Sequence, residues 1–384
     1  MRAHHRRIGA LLIAGACCVA TFGGGVAQAT PEAGSLNAAT RAQLNKALDA
    51  AFAQVNAPGV IVGVRVGRST WTATRGVTNT DTHTPVAVDE DTRVGSITKT
   101  FTGTLILQLV DEGKLKLDET IQRWFPQVPD ARQVTIRELG NMSSGIDTYT
   151  DNPTFQSEYF ADPTRVWTPQ ELVAAGTNLP RLFPPGHGFF YSNTNFVMLG
   201  LIIEQVTGKP YAQVLQNKIL KPLGLQHTIF PDNNVIPSPS WHGYTTQGTN
   251  NAQPVDSTAW SPTSAEAAGQ MISNLGDMLT WARAVGTGAT LTAAAQRARL
   301  QGNPASKMGN REYAFAIGHD HGWLAHDGEI PGFNAQLAYF PARDISIIVL
   351  TNSDIANPPT APGPTPAPVI FAALGAVMTP ANVP

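Results

Sequence analysis

Apolar positions recur at helical spacing over residues 38–55, where Leu44, Ala47, Leu48, Ala51, Phe52 and Val55 share one face. That segment predicts an amphipathic helix with one side to bury, ended by Asn56, Ala57, Pro58 and Gly59. Two β-branched runs follow at 60–66 and 70–75, and the intervening Gly67, Arg68 and Ser69 predict a hairpin. A helix followed by a hairpin suggests an antiparallel sheet layered under the helix. The apolar run 101–110 then predicts a buried helix that stops at Gly113, a residue suited to the position after a last turn.

From about 119 to 264 the pattern changes. Short helical pieces at 136–142, 169–175, 196–207 and 211–219 are joined by loops rich in Gly, Pro, Asn and Asp, without long alternating strands. A further helix is expected over 267–285, and strands over 313–317, 322–325, 334–340 and 346–350. A proline-rich linker at 358–368 precedes an apolar stretch, 369–377, long enough for a closing helix. The fold class expected is therefore α/β (α+β): an antiparallel sheet flanked by N- and C-terminal helices, built from 30–118 and 265–384, with a mainly helical domain inserted at 119–264.

The first 29 residues stand apart. Arg2, Arg6 and Arg7 precede an apolar stretch at 8–20, and Ala27, Gln28 and Ala29 form a small-x-small site, so 1–29 reads as a secretory signal peptide. The expected location is secreted, extracellular or cell-envelope, with no stable membrane span once the signal is removed. A lipid anchor on Cys17 is disfavoured by Ala14, Gly15 and Ala16, which supply no large apolar residue ahead of it. Both cysteines, Cys17 and Cys18, fall inside that signal, which excludes a disulfide or a thiolate site from the mature chain. What remains carries 23 basic against 28 acidic residues, and no nucleic-acid partner is implied. With 42% hydrophobic and 14% charged residues the chain is globular rather than disordered.

The chemistry-bearing residues lie in three short motifs. Ser96 and Lys99 stand three apart at the start of the 101–110 helix, the one place in the chain where a serine precedes a lysine at that spacing. The i, i+3 spacing puts hydroxyl and amine on one face, with Ser96 over the positive end of the helix. Alone, such a pair reads as a helix cap beside an exposed lysine; as a catalytic pair, a lysine of depressed pKa takes the serine proton. Tyr191, Ser192 and Asn193 form the single Tyr-x-Asn, and His326, Asp327 and Gly328 the single His-x-Gly. In this order, on a helix start, a loop and a strand, the three together point to a serine nucleophile and an acyl-enzyme. Lys99 and the Tyr191 oxygen are both candidates for the general base. His319, His321, Trp241, His242 and Tyr244 read as structural or as pocket wall. No His-Glu-x-x-His spacing suggests a metal, and no cofactor is called for.

With these motifs the chain resembles the penicillin-recognising serine hydrolases. The resemblance is to the branch holding class C β-lactamases, soluble D-alanyl-D-alanine carboxypeptidases and related esterases, and most of all to the secreted carboxypeptidases. It extends over nearly the whole mature chain and includes residues 107–115, Pro185-Gly186, 191–196, Leu199-Gly200 with Thr207-Gly208, Pro222-Leu223-Gly224 and Pro331-Gly332-Phe333. It implies a β-lactamase/transpeptidase-like fold, and Asn193 orienting Lys99 or the substrate amide. It also implies an oxyanion site between the backbone N–H groups of Ser96 and Glu329, and His326 where many relatives carry lysine. The substrate implied is a peptidoglycan stem peptide, a β-lactam or another small acyl compound.

Two departures bear on substrate. Where relatives that cleave D-alanyl-D-alanine carry threonine to help hold a terminal carboxylate, this chain has Asp327, and Glu329 shares its face of the strand. No arginine is expected in the preceding strand to offset them. A carboxylate about 4 Å from one ionised acid, at an effective dielectric near 20, is repelled by about 4 kcal/mol, close to 10³ in affinity. The acids at 327 and 329 therefore favour an uncharged acyl substrate such as an ester. His326 should point to the opposite face of the strand. In the segment 141–145, Met142 stands where His-Thr-Ser-Gly is commoner, and is expected to pack. A non-catalytic binding protein on the same fold would be expected to have lost Ser96, Lys99 or Tyr191, and all three are present.

Overall fold

The computed structural model describes residues 36–249, 253–357 and 363–384. The expected signal segment and part of the proline-rich linker, 358–362, lie outside the described residues. Eight antiparallel strands make the main sheet: β1 (Gly59–Val66), β2 (Ser69–Asn79), β3 (Thr84–Pro85), β4 (Arg311–Tyr313), β5 (Gly318–Asp320), β6 (Trp323–Ile330), β7 (Phe333–Phe340) and β8 (Ile345–Thr351). Their order is β3-β2-β1-β8-β7-β6-β5-β4, so the late strands join the early hairpin along the β1–β8 pairing, Val60 opposite Thr351 through Val66 opposite Ile345.

Alternation along β1 explains how both faces are covered. Val60, Val62 and Val64 point into a core shared with helix α1 (Ala38–Phe52) and the last helix, Pro366–Met378. Ile61 points the other way, into the larger core that holds α2 (Thr98–Asp111), α3 (Asn193–Thr207) and α4 (Leu275–Thr287). Gly63 faces α4, where an added Cβ would lie 2.8 Å from Leu275, so the absent side chain lets that helix close on the sheet. β7 and β8 are buried throughout, as central strands covered on two sides must be.

Two expectations are corrected. The segment 267–285 is not one helix: Glu266–Gly269 is followed by a strand pair, Ile272 opposite Arg93, before α4 begins at Leu275. The Met271 carbonyl accepts from Val94 N and Ile272 exchanges bonds with Ile229, so tertiary pairing overrides helical spacing there. Nor is 313–317 a strand. Ala316 takes φ +60° in a turn that closes Ala314 N onto Ile317 O, and strand structure lies on either side of it, in β4 and β5.

Candidate active site

The turn before α2 sets the first piece. Gly95 has φ +50° and opens a short 3-10 turn, Gly95–Ile97, that runs into α2 at Thr98. A methyl on Gly95 would lie 2.5 Å from the Glu329 nitrogen, and one on Gly328 would lie 2.0 Å from the Val94 oxygen and 3.2 Å from the Ser96 nitrogen. Two glycines thus let the Ser96 turn and β6 touch backbone to backbone, with the Ser96 and Glu329 nitrogens on the two sides of that contact. The turn is held from behind: Val94 N donates to Met271 O (3.0 Å) and Met271 N to Thr98 Oγ1 (3.2 Å). Phe101 stacks on Trp281 at 3.9 Å, and the indole N–H of that tryptophan donates to Thr100 Oγ1.

Lys99 is completely buried. Its Nζ lies 2.8 Å from Ser96 Oγ, 2.7 Å from Asn193 Oδ1 and 2.8 Å from the Ala268 carbonyl. Burial drives its pKa well below the usual lysine value, and Asp327 opposes only part of that. The amine can therefore lose its proton. Neutral Nζ keeps two N–H donors, which the Asn193 and Ala268 oxygens take, and its lone pair is left facing the Ser96 hydroxyl.

Tyr191 completes the group. The Met142 carbonyl accepts from Phe190 N, its sulfur takes Ser192 N–H at 3.3 Å, and Thr148 Oγ1 takes Asn193 N–H, so the loop 141–148 holds the Tyr-x-Asn loop against α2. Met142 thus packs, as expected, and its sulfur also accepts a backbone hydrogen bond. The Tyr191 ring lies 4.8 Å from Lys99 Nζ. Burial holds the Tyr191 hydroxyl well above the usual phenol range; Tyr313 and Asp327 add to that, and a hydrogen bond from Ser96 opposes it. Burial thus favours the neutral form of both candidate bases, lowering the amine and raising the phenol.

On β6 the alternation is as expected: His326 and Gly328 are buried, Asp327 and Glu329 exposed. His326 Nδ1 donates to the Asp327 carbonyl at 2.6 Å, and its Nε2 lies 3.1 Å from the Tyr313 hydroxyl, with the ring 6.2 Å from Tyr191. Burial lowers the His326 pKa, which keeps the ring neutral, so it is not the cationic counterpart of a lysine. Glu329 is pushed up to about 8, first by the chain atoms crowding its carboxyl and then by Asp354 and Asp327. A value raised towards 8 disfavours full ionisation of Glu329 near pH 7 in the absence of a neighbouring cation. Arg311 does lie in β4, but it pairs with Asp320 at 3.1 Å and leaves the β6 acids uncompensated.

Four contributors had no signal in the sequence. The Ala268 carbonyl is backbone and reaches Lys99 only because the helix 266–269 ends beside α2. Tyr313, Gln247 and Asp354 come from segments far apart in the chain, and no motif marks them. Gln247 Nε2 donates to Asp354 Oδ2 (2.6 Å) and to Glu329 Oε1 (3.4 Å).

The sheet, its helical layers and the Ser-x-x-Lys helix start beside a Tyr-x-Asn loop define the class: a serine hydrolase of β-lactamase/transpeptidase-like fold. The chain belongs to the family described as Beta-lactamase, whose model matches residues 44–366. Among solved structures it is similar to a D-stereospecific amidohydrolase from Streptomyces sp., with TM-score 0.75 and 35% identity over 82% of this chain and 94% of that one. It is also similar to the D-amino acid amidase of Ochrobactrum anthropi SV3, with TM-score 0.78 and 26% identity over 89% and 98% of the two chains. Penicillin-binding protein 4 of Amycolatopsis lactamdurans is 26% identical over 334 residues, 80% of this chain and 84% of that protein. The chain spans about half the length (52%) of Protein flp from Staphylococcus aureus, which it matches at 28% identity over 67% of its own residues.

Proposed function

We propose that the protein is an exported amidohydrolase that opens a small amide through an acyl-enzyme on Ser96. The observation that carries this is the Lys99 amine, completely buried and within hydrogen-bond distance of Ser96 Oγ, Asn193 Oδ1 and the Ala268 carbonyl, the last two able to take its two N–H donors once it is neutral. Lys99 accepts the hydroxyl proton as Oγ bonds the acyl carbon. The oxyanion is held by the N–H groups of Ser96 and Glu329. The proton then passes from Lys99 by way of the Tyr191 hydroxyl to the leaving nitrogen, the C–N bond breaks, and a water activated by the same groups releases the acid. Asn193 and the Ala268 carbonyl position the amine. His326, neutral and tied to Tyr313, supports the Tyr191 wall.

The similarity to D-amino acid amidases and a D-stereospecific amidohydrolase supports an amide of a D-amino acid as the substrate type. The acids at 327 and 329 speak against the free carboxylate of D-alanyl-D-alanine peptides. A carboxylesterase reading has one observation in its favour: the acids exclude a carboxylate without demanding an amide. Loss of Ser96, Lys99 or Tyr191 would have favoured a binding protein, and the three are packed together. The test is ammonia release from D-phenylalanine amide, compared with hydrolysis of p-nitrophenyl acetate and of D-alanyl-D-alanine. The amide is expected to have the highest kcat/KM of the three, and Ser96→Ala to lose activity towards it. A dominant carboxypeptidase activity, or an unaffected Ser96→Ala protein, would overturn the proposal.

A further inference from the structure

Beside the nucleophile, three carboxyl side chains meet without a cation. Asp327 and Glu329 stand exposed on one face of β6. Behind Glu329 lies Asp354, 7% exposed, whose Oδ2 takes hydrogen bonds from Thr245 Oγ1 (2.9 Å) and Gln247 Nε2 (2.6 Å) while its Oδ1 has no hydrogen-bond partner. Asp354 and Asp327 both raise the cost of ionising Glu329. Among the described residues none of the three is in an ion pair with lysine, arginine or histidine. Negative charge gathered without compensation in a catalytic cleft is costly unless a ligand supplies the positive charge.

An apolar surface adjoins this cluster. Gln247, which touches both Glu329 and Asp354, is followed by Gly248, where a Cβ would lie 2.5 Å from the Phe160 ring. Phe160 is 38% exposed and meets Trp260 edge-on at 6.4 Å, with Tyr159 packed behind both. The acids and the aromatic shelf are thus joined through two consecutive residues of one loop.

Resting on the acyl-enzyme reading above, we propose that Glu329 and Asp327, backed by Asp354 and Gln247, bind the free α-ammonium of an amino-acid amide whose apolar side chain lies on Phe160 and Trp260. The reach agrees with the oxyanion geometry. An acyl oxygen about 3 Å from the Glu329 nitrogen places the acyl carbon beside that residue, and an α-nitrogen sits about 2.5 Å further on, within the span of the Glu329 side chain. The cation removes the repulsion among the three acids, so Glu329 ionises as the substrate binds. An acyl group bearing carboxylate at that point is rejected by the same charges.

The experiment compares kcat/KM for D-phenylalanine amide, N-acetyl-D-phenylalanine amide and 3-phenylpropionamide, which share the ring and differ in the amine. Wild type is expected to prefer the free amine by about 30-fold or more, and Glu329→Gln and Asp327→Asn to reduce that ratio by at least tenfold. With wild type alone, phenethylamine should inhibit competitively and 3-phenylpropionate should not, which keeps the test intact should a variant fail to fold. Equal rates on the three amides, or stronger inhibition by the carboxylate, would overturn the ammonium site. Labelling of Ser96 by a fluorophosphonate is measured alongside: if it occurs and the amine preference is absent, this inference alone is wrong, whereas its absence removes the acyl-enzyme reading beneath it.

Discussion

Gly328→Ala probes the contact on which the oxyanion site depends. A methyl there would sit 2.0 Å from the Val94 oxygen, about 1.4 Å short of the 3.4 Å at which ordinary contact begins, and 3.2 Å from the Ser96 nitrogen. Val94 O belongs to rigid backbone whose own N–H is bonded to Met271 O, so the gap opens by separating β6 from the nucleophile turn. Ser96 N and Glu329 N lie on opposite sides of that gap, and a displacement near 1 Å takes one donor out of hydrogen-bond range of a shared oxyanion. Loss of one such donor costs about 10²–10³ in kcat, or about 2.7–4 kcal/mol of transition-state stabilisation. The Lys99–Ser96 pair lies on the α2 side of the gap, so KM should change less than kcat. The assay is kcat and KM on the amide, with circular dichroism and thermal melting to establish that the variant folds. A folded Gly328→Ala enzyme with kcat within threefold of wild type would refute the reasoning.

Further expectations follow from the same contacts. With the unprotonated Lys99 amine as the proposed base and its pKa lowered by burial, activity should be full above that pKa and fall as pH drops through it; Lys99→Arg, which cannot lose its proton, should lose at least about 10² in kcat/KM between pH 6 and 9. A pH profile that is flat down to pH 4 would contradict the assignment. Glu329, raised to about 8, favours the fold in its protonated form, so its contribution is present below the ordinary carboxylate pKa and lost as pH rises through about 8. Glu329→Gln should therefore gain melting temperature relative to wild type at pH 9 more than at pH 5, and the opposite order would be evidence against the acid cluster. Arg93, buried, donates to the carbonyls of Asn234, Thr258 and Trp260. Arg93→Met should cost about 2–4 kcal/mol in urea unfolding by stranding those oxygens, and a change below about 0.5 would show that water replaces the guanidinium.

What could be read from the sequence was whatever local spacing decides. Ser96 and Lys99 are one turn apart in any helix, and the β-branched runs of β1 and β8 and the alternation along β7 read as strands, so the Ser96 helix and the centre of the sheet were legible. The 267–285 segment misled because its periodicity suits a helix throughout, while Met271 and Ile272 are taken by Val94, Ile229 and Arg93 from elsewhere in the chain. The spacing marks 322–325 as strand, and the His-x-Gly motif reads as strand as well; pairing with β7 makes the two one strand that runs to Ile330. The choice between Lys99 and Tyr191 as base depends on burial and on the Ala268 carbonyl, neither of which leaves a mark in the residue pattern. Asp327 and Glu329 could be seen to repel a carboxylate, but the burial of the Glu329 carboxyl and the third acid, Asp354, which together raise its pKa, arise from contacts between distant segments.

The central claim is that Ser96 forms the acyl-enzyme with Lys99 as its base. Wild type, Ser96→Ala and Lys99→Ala are each incubated with a fluorophosphonate, and the intact mass and the modified peptide are read by mass spectrometry. The account predicts one adduct on wild type, located at Ser96, none on Ser96→Ala, and labelling of Lys99→Ala slowed by about 10² or more. An adduct on another residue, or Lys99→Ala labelled at the wild-type rate, would contradict it.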